Sequence, residues 1–115
     1  MHELSLAVSL LRRVEAEVAR ANIVRVTGIT VQVGSLLGVE PELFTDAFKA
    51  AAHGTRSASA RLDLDTVRAE ACCLVCGEVY EPQWTDYQCP ACGQAEPEIK
   101  AGRDLMLTAV TGEIA

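Results

Sequence analysis

The chain has 115 residues, half of them apolar, which suits one small domain or a domain with a mini-domain and excludes a disordered segment. Ten basic residues against sixteen acidic ones give a net charge of −6, which argues against a protein that grips nucleic-acid backbones. Apolar runs are too short to span a bilayer, and Met1-His2-Glu3-Leu4 begins no secretory signal. A reducing cytoplasm is therefore the expected compartment, and there thiols meet metals more often than one another.

Leu4, Val8, Leu11, Val14 and Val18 recur at intervals of three and four, with Ala7 and Leu10 widening the stripe. This spacing predicts an amphipathic helix from residue 4 to about 21, stopped at Asn22. Residues 23–34 read as a strand. Val24 and Val26 alternate with polar neighbours, as do Ile29, Val31 and Val33, and the phase slips at Gly28, which predicts a bulge or bend. Gly34-Ser35 and Gly38 end it. Residues 41–53 predict a second helix, with Pro41 at its first position, Glu40 and Glu42 at its positive end, and Leu43, Phe44, Ala47, Phe48 and Ala51 as the apolar face. Gly54 is the expected cap, with His53 stabilised by the helix dipole.

After a small-residue connector (55–60), residues 61–71 read as a second strand running into the first cysteine pair. Lys100-Ala101-Gly102 reads as a turn, and residues 104–110 as a third strand. The expected fold is α+β: a small mixed three-stranded sheet with two helices, a strand–helix–strand crossover favouring a parallel pair. A four-cysteine, zinc-ribbon-like mini-domain is inserted. The expected division is 1–71 with 98–115 as one domain and 72–97 as the metal-binding one.

The metal segment rests on spacing. Cys73-Leu74-Val75-Cys76-Gly77 and Cys89-Pro90-Ala91-Cys92-Gly93 are two C-x2-C knuckles separated by twelve residues. Such a pair converges four sulfurs on one point, with a glycine after each knuckle where positive φ is often needed. Four soft thiolates favour Zn(II), tetrahedral, closed and redox-inert, with Cys73, Cys76, Cys89 and Cys92 as ligands. The rivals are two disulfides in a secreted domain and a rubredoxin-like iron site. The short loop between the pairs and the few aromatic residues argue against iron. Cys72 reads as a free or packed thiol facing away from Cys73. Trp84, Tyr80 and Tyr87 are expected to pack around the cluster.

The amino terminus carries the other candidate chemistry. With His2 in second place, the terminal amine of Met1, the backbone amide of His2 and its imidazole reach one ion, and the amide of Glu3 closes a square of nitrogens. That tetragonal set suits Ni(II) or Cu(II). The alternative is a solvated or capping histidine.

The start Met1-His2-Glu3-Leu4-Ser5-Leu6, the stretch Arg25-Val26-Thr27-Gly28 leading to Val33-Gly34, the segment Val39-Glu40-Pro41-Glu42-Leu43-Phe44 and the two knuckles stand in the order in which they occur in the HypA family. The resemblance covers essentially the whole chain. It implies a nickel metallochaperone, not an enzyme, that serves the maturation of [NiFe] hydrogenase. It carries the structural zinc site onto Cys73, Cys76, Cys89 and Cys92. It carries the Ni(II) site onto His2, with Met1, Glu3 and Glu40. The implied partners are the GTPase HypB, the hydrogenase large subunit and, for some relatives, urease maturation proteins. A zinc-ribbon interaction module is the remaining alternative. Its nucleic-acid version is disfavoured, because residues 72–99 hold no Lys or Arg and several acids. No Ser/His/Asp or Cys/His constellation suggests catalysis.

Overall fold

In the computed structural model the first apolar stripe forms helix α1, His2–Ala21. The structure describes residues 2–115, and for His2 the backbone alone. Asn22 adopts a left-handed φ of 57° and turns the chain into strand β1, Ile23–Gly34. A single 3-10 turn, Ser35–Leu37, leads on to helix α2, Pro41–Ala52, which begins at Pro41 with Glu40 as its N-cap. Then follow β2, Arg61–Val67; β3, Glu70–Cys73; β4, Val79–Tyr80; β5, Pro97–Ala101; and β6, Leu105–Ile114.

The strands form two three-stranded sheets, ordered β2-β1-β6 and β4-β3-β5. Only the first was expected. In it β6 runs antiparallel to β1. Ala115 N–H donates to the Asn22 carbonyl (3.3 Å) at one end, Gly34 N–H to the Asp104 carbonyl (2.9 Å) at the other, and Thr108 Oγ1 to the Thr30 carbonyl (3.1 Å) between them.

The chain divides into two compact units. The first takes in residues up to Gln32, Val39–Asp65 and Leu105–Ala115; the second takes in Val33–Gly38 and Thr66–Asp104. The segment 72–97 lies within the second, which also contains β3 and β5.

The first unit is held by apolar burial. Ala7, Leu10, Leu11, Val14 and Val18 of α1, Val26, Ile29 and Val31 of β1, and Phe44, Phe48 and Ala52 of α2 are buried. α1 packs on α2 and on β6, and Arg13 Nη1 donates to the Leu105 carbonyl (2.7 Å). The buried stripe of α1 is centred on Ala7, Leu10 and Val14, so Leu4 is left exposed, as is Leu43 of α2. In β1 the buried apolar side chains are Ile23, Val26, Ile29, Val31 and Val33, while Val24 is exposed. The phase therefore slips before Val26 as well as near Gly28, where a side chain would meet Thr111 Oγ1 at 2.7 Å.

The expected single strand over 61–71 is instead two strands in two sheets. The break falls at Arg68-Ala69, where the Ala69 N–H donates to Ser35 Oγ (3.1 Å) instead of to a ladder. The expected turn at Lys100-Ala101 is the end of β5, paired antiparallel to β3, with Glu70 opposite Ala101 and Cys72 opposite Glu98. Alternation of Ile99 against Glu98 and Lys100 was the signal for it.

Candidate metal centre

Each knuckle is built by backbone hydrogen bonds that close a tight turn. Gly77 N–H donates to the Cys73 carbonyl (2.9 Å) and Gly93 N–H to the Cys89 carbonyl (2.8 Å). Cys73 N–H donates to the Glu78 carbonyl (2.8 Å), and Cys89 N–H to that of Gln94 (2.9 Å), so both loops have the same frame. Gly77 and Gly93 have φ of 81° and 79°, the left-handed region that a side chain disfavours. The first knuckle is the loop of the β3–β4 hairpin, with Cys72 opposite Val79 and Ala71 opposite Tyr80.

The folded chain brings Cys73, Cys76, Cys89 and Cys92 together, their sulfurs all within 4.8 Å of one another. Cys73 and Cys92 stand 3.6 Å apart, as do Cys76 and Cys89. A zinc–sulfur bond of about 2.3 Å in a tetrahedron puts neighbouring sulfurs about 3.8 Å apart. The donor set therefore fits a tetrahedral ion. No disulfide is present; all five thiols are free. The sulfurs of Cys73 and Cys89 are buried, with Cys76 and Cys92 the more exposed pair.

Four thiols this close cannot all ionise without a cation among them. The backbone N–H of Cys76 points at the Cys73 sulfur and, against desolvation, brings that thiol down to about 7 with help from the N–H of Val75. The Glu78 amide pulls the Cys76 thiol down, but desolvation and then the sulfur of Cys89 outweigh it and push it up to about 12. A divalent ion would collect all four as thiolates. This is a four-cysteine metal-binding site.

The shell around it differs from the sequence expectation. Ala71, Cys73, Tyr80, Cys89 and, at the margin, Ile99 form a small apolar cluster. Tyr80 packs there, and its hydroxyl donates to the Tyr87 carbonyl (2.6 Å). Trp84 does not pack there. Trp84 is 60 % exposed, with its indole set against Gly38. Cys72 lies outside the sulfur group, its Sγ 3.7 Å from the Gly77 carbonyl. The ladder explains this: Cys72 and Cys73 face opposite sides of β3.

Of the amino-terminal residues, Met1 lies outside the described residues and so does the His2 side chain. His2 and Glu3 open α1, and Glu3 is half-buried. Glu40 is exposed at the extended N-cap of α2, with φ −86° and ψ 115°, and makes no side-chain cap hydrogen bond. No helix among the described residues is long and apolar enough to cross a membrane.

Two helices on a three-stranded sheet, with a four-cysteine knuckle unit, define a small α+β metalloprotein. Residues 1–112 match the description "Hydrogenase/urease nickel incorporation, metallochaperone, hypA". The chain belongs to the HypA family. It is similar to the hydrogenase maturation factor HypA of Roseiflexus sp., with 36% identity over 98% of this chain and 93% of the relative. It is also similar to that of Aquifex aeolicus, with 33% identity over 99% of each chain. The fold is that of the Ni metallochaperone HypA from Helicobacter pylori in solution, with TM-score 0.72, 21% identity and 98% of both chains covered.

Proposed function

We propose that the protein is a nickel metallochaperone, not an enzyme. It takes up Ni(II) at its amino terminus and hands it on during maturation of [NiFe] hydrogenase in the cytoplasm. Zn(II) on Cys73, Cys76, Cys89 and Cys92 holds the second unit together. The observation that carries this reading is the HypA match from the first residue, which takes in the Met1-His2-Glu3 start together with both knuckles.

Nickel would be held by the His2 imidazole, the amine of Met1 and the amides of His2 and Glu3, with Glu40 as a further ligand. A chelate at a chain end, built partly from backbone nitrogens, discriminates by geometry and still leaves a route for release. The amides and imidazole bind without their protons, so falling pH weakens nickel binding as protons compete. HypB, the hydrogenase large subunit and urease maturation proteins are the partners this role calls for. Zinc suits the sulfur site better than an electron-carrying iron, because four thiolates closing a tetrahedron serve a redox-inert structural ion and the family's task is metal incorporation, not electron transfer.

The test is elemental analysis of untagged protein followed by nickel titration of the wild type and His2→Ala. One zinc per chain is expected in both, with nickel bound by the wild type alone. Stoichiometric nickel on His2→Ala would remove His2 from the site, and iron in place of zinc would revive the electron carrier.

A further inference from the structure

Between the two thiols of the first knuckle stand Leu74 and Val75, which are 68 % and 55 % exposed. Val79, on the same β3–β4 hairpin, is 61 % exposed. The corresponding pair in the second knuckle, Pro90 and Ala91, is also exposed. Ligation depends on the sulfurs and on backbone turns; it asks for no apolar side chain at these positions. Single exposed hydrophobes are ordinary, but three on one short hairpin, beside a second apolar knuckle tip, are of the kind that partners cover.

Along the knuckle segment itself the charge has one sign. From residue 69 to 99 the chain has six acids and no Lys or Arg. Glu78 belongs to the hairpin, and Glu96 is held beside it by the bond from Leu74 N–H to the Glu96 carbonyl (2.9 Å). Glu81 pairs with Arg68 (2.7 Å) and Glu98 with Lys100 (2.8 Å). Among the described residues, Glu78 and Glu96 have no cationic partner. A divalent ion on four thiolates leaves the site itself net negative, which adds to the field.

We infer that this knuckle tip is a docking surface for a protein partner that presents an apolar side chain flanked by Lys or Arg. The apolar residue lies against Leu74, Val75 and Val79, and the cations meet Glu78 and Glu96. The sign of the charge selects among occupants. Phosphate backbones and anionic lipid surfaces are repelled, and a second copy would bring acids against acids. The inference stands on the hairpin and does not rest on the nickel reading.

The test uses the metal-loaded full chain, titrated by NMR with a short peptide alternating leucine with lysine, and with its counterpart carrying glutamate for lysine. The basic peptide is expected to shift the amides of Leu74, Val75, Glu78, Val79 and Glu96. The double variant Leu74→Ser with Val75→Ser should bind it about tenfold more weakly while keeping its metal, since both side chains are in solvent. Glu78→Gln with Glu96→Gln should weaken it about threefold and flatten the salt dependence. Shifts spread over the first unit, equal binding of the acidic peptide, or a serine variant that binds as the wild type does would each overturn the inference. So would concentration-dependent self-association lost in the serine variant, which would assign the tip to a second copy.

Discussion

The two units solve one problem by different means. The first closes on Phe44, Phe48, Leu10, Val14, Ile29 and Val31, all essentially without solvent exposure. The second has Ala71, Cys73, Tyr80 and Cys89 with Ile99 at the edge, and two of those four buried residues are metal ligands. Side chains such as the two Phe contribute about 1.5–3 kcal/mol each by leaving water. A cluster this small offsets little of the ordering entropy of the 45 residues in Val33–Gly38 and Thr66–Asp104, roughly 1–2 kcal/mol each for the backbone alone. The difference teaches that the knuckle unit is stabilised chiefly by ligation, and that its surface side chains are free to serve other ends.

The comparison breaks most sharply if metal is taken away. Chelation, or Cys89→Ser, removes binding energy on the order of 10 kcal/mol or more from the second unit. Amide exchange in β3, β4 and β5 should become fast while α1 and α2 stay protected; slow exchange in a metal-free β3 would show that the small cluster suffices. The converse change is Phe48→Ala, expected to cost about 3–5 kcal/mol through transfer and cavity terms. It should lower the thermal midpoint without changing the metal-to-chain ratio, and parallel loss of metal would mean that the two units unfold as one.

Smaller effects sharpen the picture within the knuckle unit. Gly38 has φ 62°, and a side chain there would meet the Trp84 indole at 2.7 Å. Gly38→Ala should cost about 1–2 kcal/mol from backbone strain alone and shift the Trp84 fluorescence maximum to the red. An unchanged spectrum would show that the indole is not seated on Gly38. Tyr80→Phe removes one hydrogen bond, to the Tyr87 carbonyl, and is expected to cost about 1 kcal/mol with full metal retention. A loss of several kcal/mol would give that hydroxyl a larger part than a single bond.

The helices and the first strand were legible because their signals are local. The spacing of Leu10, Leu11, Val14 and Val18, the Pro41 start and the left-handed Asn22 each act within a turn or two. The second sheet was not legible. β4 has two residues and β5 five, and β3 reads as a continuation of β2 until Ala69 is seen bonded to Ser35, far away in sequence. The exact burial phase was likewise hidden: Leu4, Val24 and Leu43 fit their periodic patterns and are exposed.

By itself the sequence determined the metal site, because ligation is a short-range matter: two thiols three residues apart, a turn between them, and a glycine with positive φ after each pair. It also determined family membership, through the Met1-His2-Glu3 start and the two knuckles read together. Only the tertiary structure decided that β3 and β5 enclose the knuckles, that Tyr80 and not Trp84 lines the cluster, and that Leu74, Val75 and Val79 are left in water near Glu78 and Glu96. Those outcomes depend on pairings between residues far apart in the chain, whose closure no local periodicity records.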